Sequence, residues 1–158
     1  MVVPRLVGQA LADDPLTVYG DGHQTRCFCH VADVVHALFG LMTEESAYGN
    51  VFNVGATSEI SILDLAKRII ELTRSESDIS MIPYDEAYGE GFEDMYRRVP
   101  DIAKVQALIG WSPTRVLDDI VGDVVDHLRG ATVAYPLPVA ANAVAANAIA
   151  GDPVQAHS

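Results

Sequence analysis

The sequence predicts a mixed α/β fold with few, short strands, and three observations predict it. β-like runs alternate with amphipathic helical stretches through residues 16–83. The runs are short, so a complete doubly wound sheet does not fit. The chain has 158 residues, 49% apolar and 20% charged, enough for one domain with its own core.

The elements follow in order. Leu6, Val7, Ala10 and Leu11 space as a short amphipathic helix over 4–12, with Pro4 tolerated in its first turn. After Pro15, Leu16-Thr17-Val18-Tyr19 reads as a strand closed by the turn Gly20-Asp21-Gly22. A second β-like run covers Arg26 to Val31. Asp33 is then placed to cap a helix from Val34 to Met42, apolar enough to predict thorough burial. Val51-Phe52-Asn53-Val54 reads as a strand ended by Gly55. Ser61 and Asp64 resemble a capping box opening a helix to Thr73, with Ile62, Leu65, Ala66, Ile69, Ile70 and Leu72 mainly on one side.

Ile79 to Pro83 predicts a strand and the acidic stretch Asp85 to Asp94 a loop. Asp101 is expected to cap a short helix to Leu108, stopped at Gly110, and a last helix spans 116–128. From Ala131 to Ser158 the chain is mainly Ala, Val, Pro and Asn with little to bury, which predicts a mostly disordered tail after a folded region over 1–130, with a weak Ala-rich helix as the alternative.

The formal net charge is −12, from 22 acidic and 10 basic residues. That balance argues against general nucleic-acid or anionic-membrane binding, both of which need a basic face. It leaves room for one phosphate ligand held by a well-placed Arg. No apolar run approaches the ~20 residues that span a bilayer. The start Met1-Val2-Val3-Pro4-Arg5 lacks the order of a secretory signal. Two cysteines only two residues apart make no disulfide framework, and a reduced, cytoplasmic protein is expected.

Arg26 is the most informative basic residue. On a short strand after a Gly-rich turn it could hold a phosphate or pyrophosphate through two hydrogen bonds, or pair with a surface carboxylate. A continuous strand would place Arg26, Phe28 and His30 on one face and Cys27 and Cys29 on the other. The cysteines with His23 and His30 lack the second ligand pair a zinc site needs, so small buried cysteines are the better account. Neither Gly20-Asp21-Gly22 nor Gly89-Glu90-Gly91 continues into a dinucleotide fingerprint, and both read as turns. The acidic cluster of Asp85, Glu86, Glu90, Glu93 and Asp94 lacks the alternating ligands of a calcium loop. On these residues alone the chain is an α/β domain able to bind a small anion.

Pro15 to Gly22, with Gln24-Thr25-Arg26 and His30-Val31-Ala32-Asp33, resembles extended short-chain dehydrogenase/reductases. More narrowly it resembles the NAD-dependent epimerase/dehydratase family acting on nucleotide-diphosphate sugars. UDP-glucuronate decarboxylases, dTDP-glucose dehydratases and UDP-glucose 4-epimerases look nearest. Further blocks follow in family order: Val51 to Gly55, Ile60-Ser61-Ile62, Pro100 to Lys104, and Leu108 to Pro113. The resemblance covers roughly residues 1–129 and implies the C-terminal, substrate-binding part of an extended Rossmann-type fold with an incomplete sheet.

The resemblance also implies roles. The strand Leu16, Val18, Tyr19 and Gly20 lies beside the nucleotide base, Arg26 contacts the diphosphate, and Asn53 helps fix the nucleotide. A second phosphate-binding Arg is usual before the Pro-Asp-x-x-Lys block. Here that stretch is Glu90-Gly91-Phe92-Glu93-Asp94, and Arg97 is the substitute. The implied ligand is a UDP- or dTDP-sugar.

The implied NAD turn and Tyr-x-x-x-Lys pair belong upstream of these blocks. The residues four before Lys67 and Lys104 are Leu63 and Pro100, so no such pair occurs. The expectation is therefore a family member without its NAD-binding and catalytic half, inactive alone. The alternatives are a non-catalytic binding or regulatory module and an inert remnant. An exposed apolar patch is expected where the first half would pack, leading to self-association or pairing with that half.

Overall fold

A computed structural model of the chain describes residues 1–88 and 95–130. The described elements run α1 Val2–Leu11, β1 Leu16–Tyr19, β2 Thr25–Cys27, α2 Val31–Thr43, β3 Glu59–Ser61, α3 Ile62–Thr73, β4 Ile79–Ile82, α4 Tyr84–Tyr88, α5 Ala103–Ile109 and α6 Leu117–Leu128. The segment Ala131 to Ser158, expected to be a disordered tail, lies outside the described residues, as do Gly89 to Asp94.

Two small strand pairs organise the chain. β1 pairs in parallel with β4, Leu16 opposite Ile79 and Tyr19 opposite Ile82. β2 pairs antiparallel with β3, Thr25 opposite Ser61 and Cys27 opposite Glu59. The main core lies between α1, α3, α6 and the inner face of β1. Val3, Leu6, Val7 and Ala10 of α1 and Ile62, Leu65, Ala66 and Ile69 of α3 recur at i, i+3, i+4, i+7, the spacing of one buried helix stripe. Leu16 and Val18 fill the space between them, and Val121 and Val125 of α6 close it. A second, smaller core gathers Ala37, Val105 and Trp111.

Several expectations are corrected. α2 begins at Val31, because His30 Nδ1 accepts the Ala32 N–H at 3.1 Å and so caps the helix in place of Asp33. The β2 run stops at Cys27, since β3 offers only three residues to pair with. The expected alternation therefore does not carry through to His30. Val51 to Val54 forms no strand. Among the described residues no neighbouring strand meets its main chain; Lys104 Nζ donates to the Val51 carbonyl at 3.0 Å instead. The acidic stretch begins as a short helix, α4, rather than a loop.

α2 is also far less buried than its composition predicted. Only Asp33 and Ala37 are buried along it, while Leu38, Phe39 and Met42 are 51%, 54% and 70% exposed. α5 and Trp111 cover one side, and no described element covers the other.

Candidate functional site

An open cavity of ≈ 1050 Å³ lies where α1, β1, β2, the start of α4 and the segments 53–56 and 98–101 converge. Strand alternation sends Leu16 and Val18 into the core, both fully buried, and leaves Tyr19 facing the cavity. Of the expected base-side residues, Leu16 and Val18 thus present no side chain to a ligand. Arg5 of α1 stacks on the Tyr19 ring at 4.3 Å and donates to the Thr17 carbonyl at 3.1 Å.

Gly20 turns the chain at φ +70° directly beneath Tyr84, and a Cβ there would fall inside that ring. Gly20→Ala is expected to cost about 1–2 kcal/mol from the left-handed backbone and the displaced ring. Chemical denaturation checks this; a wild-type midpoint would mean that the turn and ring relax freely.

Arg26 lines the cavity from β2. Its Nη1 donates to the carbonyls of Thr25 at 2.7 Å and Met95 at 2.8 Å, which holds the guanidinium and ties the returning chain to the strand. Asn53 lines the opposite segment, its Nδ2 donating to the Asp101 carbonyl at 3.2 Å. Arg97 is not on this wall. A bridge to Thr25 turns it outward, where its guanidinium makes a forked pair with Glu59 at 2.6–3.1 Å. The extended backbone sends the next residue, Arg98, into the cavity instead. The cavity therefore has Arg5, Arg26 and Arg98 on its walls in a chain of net charge −12.

Arg98, Arg5 and Tyr84 were not singled out from the sequence. The adjacent pair Arg97-Arg98 carried a signal, since only one of two neighbours on an extended segment faces inward. Arg5 and Tyr84 carried none.

Behind the cavity wall, His30 Nδ1 accepts from Ala32 N–H and the Arg115 guanidinium, each at 3.1 Å. Nε2 therefore carries the proton and donates to Asp123 at 2.6 Å. Burial pushes the Cys27 and Cys29 thiols up, helped by the negative charges of Glu59 and Asp33 respectively, so neither is a ready nucleophile near neutral pH. The arrangement can bind and orient an anion with a flat ring beside it.

The turn Gly20-Asp21-Gly22 does not fit a dinucleotide cradle. The turn Gly20 to Gly22 leads into β2 rather than a helix N-terminus, so no step through NAD is assigned to this chain.

Residues 1–124 match the family model described as GDP-mannose 4,6 dehydratase. A UDP-N-acetyl-alpha-D-glucosaminuronate decarboxylase of Bacillus cytotoxicus is 41% identical over 71% of this chain and 35% of its own length. UDP-glucuronic acid decarboxylase 2 of Arabidopsis thaliana is 42% identical over 71% of this chain and 23% of its own. The chain thus spans about a third or less of these relatives. Among solved structures, a UDP-glucuronic acid 4-epimerase from Bacillus cereus, in complex with UDP-glucuronic acid and NAD, superposes with a TM-score of 0.72. It is 27% identical, and the match covers 82% of this chain and 40% of that one. A dTDP-glucose 4,6-dehydratase from Bacillus anthracis, at 22% identity and a TM-score of 0.71, shares the fold over 82% of this chain and 39% of its own.

The α/β part of a Rossmann-type fold that the sequence pointed to is therefore the fold observed. No helix among the described residues is long and apolar enough to cross a membrane. With its family model matched across most of its length, the chain belongs to the GDP-mannose 4,6 dehydratase family, within the NAD-dependent extended short-chain dehydrogenase/reductases of nucleotide-sugar epimerases and dehydratases.

Proposed function

We propose that this chain is the nucleotide-sugar-binding part of a family member, with NAD and the Tyr-x-x-x-Lys pair supplied by polypeptide outside it. The observation that carries the reading is the convergence of Arg26, Arg98 and Asn53 on one cavity beside Tyr19 and Tyr84. Two guanidiniums suit a diphosphate, because each presents paired N–H donors to phosphate oxygens. The Tyr rings offer faces to a base. In this reading Arg98 takes the second phosphate role that the resemblance gave to Arg97.

Calorimetric titration of the chain with UDP, UDP-glucose and dTDP tests the reading. Saturable binding ranks the bases, whereas none by a cooperatively folded chain would leave the family as ancestry rather than activity.

In the same reading the exposed side of α2 is covered by the NAD-binding half, or by a second copy when that half is absent. Sedimentation of the concentrated chain is expected to show association. A strictly monomeric sample would count against it.

A further inference from the structure

Arg5 lines the cavity from α1, half-buried, and is not one of the two arginines assigned to the diphosphate. Its Nη2 donates to the Thr17 carbonyl at 3.1 Å, and its guanidinium carbon lies 4.3 Å from the centre of the Tyr19 ring. These two contacts hold the group in place. Nε and Nη1 donate to no described residue, and no described carboxylate pairs with Arg5 in a chain of 22 acidic residues. A guanidinium only donates, so those N–H groups are left to water or to a ligand's acceptor.

The course of α1 shows which space they border. Gln9, one turn after Arg5 on the same face, accepts the Thr17 N–H at 3.1 Å and is not part of the cavity lining. Met1 and Val2, one turn before Arg5, do line it. This face of α1 therefore enters the cavity at Arg5.

We propose that Arg5 is a specificity-determining residue of this cavity, its free guanidinium N–H groups donating to a ring carbonyl oxygen of the ligand's base. The inference rests on the nucleotide-sugar reading above and adds to it a polar contact on the base.

The surroundings fit that role. Arg5 packs on Tyr19, and Tyr84 covers the adjoining Gly20 turn, so the guanidinium belongs to the aromatic side of the cavity. A base lying there meets the guanidinium as well as the rings. Ring carbonyl oxygens are acceptors, the complement of a group that has only donors. Held in advance by Thr17 and Tyr19, Arg5 loses little freedom when it makes the contact.

The test titrates the full chain and Arg5→Met with UDP, 2-thio-UDP and 4-thio-UDP. Each thio nucleotide replaces one ring carbonyl oxygen by sulfur, a weaker acceptor, and leaves the ribose and diphosphate unchanged. In the wild-type chain one of the two is expected to bind roughly five- to tenfold more weakly than UDP. Which one loses affinity identifies the oxygen that Arg5 meets. In Arg5→Met that penalty is expected to shrink to about twofold or less, because the donor it depended on is gone. Arg5→Gln, which keeps a donor for the Thr17 carbonyl, serves as the second variant if the first unfolds.

The proposal is overturned if both thio nucleotides bind the wild-type chain as tightly as UDP. It is equally overturned if the penalty is unchanged in the variant, even where UDP itself binds more weakly, since Arg5 would then act on a phosphate. Absence of UDP binding by the wild-type chain is a different result, because it overturns the cavity reading itself and this inference with it.

Discussion

Asp33→Ala is expected to destabilise the fold by about 2–4 kcal/mol, because one carboxylate satisfies three donors on a distant segment. Its Oδ2 accepts the N–H groups of Thr114 and Arg115 at 3.1 and 3.0 Å, and its Oδ1 accepts the Thr114 hydroxyl at 2.8 Å. The Asp33 carbonyl also accepts the Trp111 indole N–H at 2.9 Å, so α2, Trp111 and the approach to α6 meet at one residue. Removing the side chain leaves those amides to find water in a half-covered site and loosens the packing of Trp111 beside it.

The same geometry sets a pH dependence. Burial of Asp33 works against its ionised form, but the N–H of Arg115, the hydroxyl and N–H of Thr114 and the Arg115 charge more than offset it. The carboxyl is held below its usual range. The stabilisation is therefore complete above the unfolded value of about 3.9 and lost as pH falls through the lower folded value. Urea unfolding across pH 2–7 checks this. Asp33→Asn is expected to lose the acid-dependent part of the stability and keep some of the rest. A variant with the wild-type pH profile would show that Asp33 is not the group responsible.

Arg26→Ala is expected to weaken UDP binding about tenfold to a hundredfold, the loss of a charge-assisted contact to a diphosphate. Arg98→Ala should lose a similar amount, and Arg97→Ala close to none, since its guanidinium is engaged with Glu59 outside the cavity. The contrast between neighbours is the informative part. An acidic chain has no general affinity for phosphate, so a loss confined to Arg26 and Arg98 reports a site rather than net charge. Rising salt should weaken wild-type binding for the same reason. Because Arg26 also holds the Met95 carbonyl, its variant needs an unfolding curve alongside the titration. Equal losses at Arg97 and Arg98 would remove the case for an inward-facing Arg98.

What could be read from the sequence was whatever local chemistry settles. α3 announced itself through Ser61, whose Oγ accepts the Asp64 N–H at 3.0 Å, followed by an apolar stripe at helical spacing. Gly110 ended α5 in a left-handed turn, as glycine permits. The Leu16–Tyr19 strand was legible for a similar reason, a Pro and a Gly at its two boundaries.

Long-range packing settled the rest, because pairing and facing depend on partners far away in the chain. Val51 to Val54 has strand-like residues but, among the described residues, no strand beside it, and a strand exists only where its main chain is paired. α2 has the apolar content of a buried helix, yet burial needs an element on each side, and the described residues cover only one. His30 displaced Asp33 as the cap of α2, and the freed carboxylate gathered Thr114 and Arg115 from 81 and 82 residues away. Which of Arg97 and Arg98 faces the cavity was fixed by a single bridge to Thr25. Local pattern was enough for the helix stripes of α1 and α3, for the turns at Gly20 and Gly110, and for the family. The three-dimensional packing alone decided which side chains share a cavity, since that depends on contacts between segments and no local pattern records them.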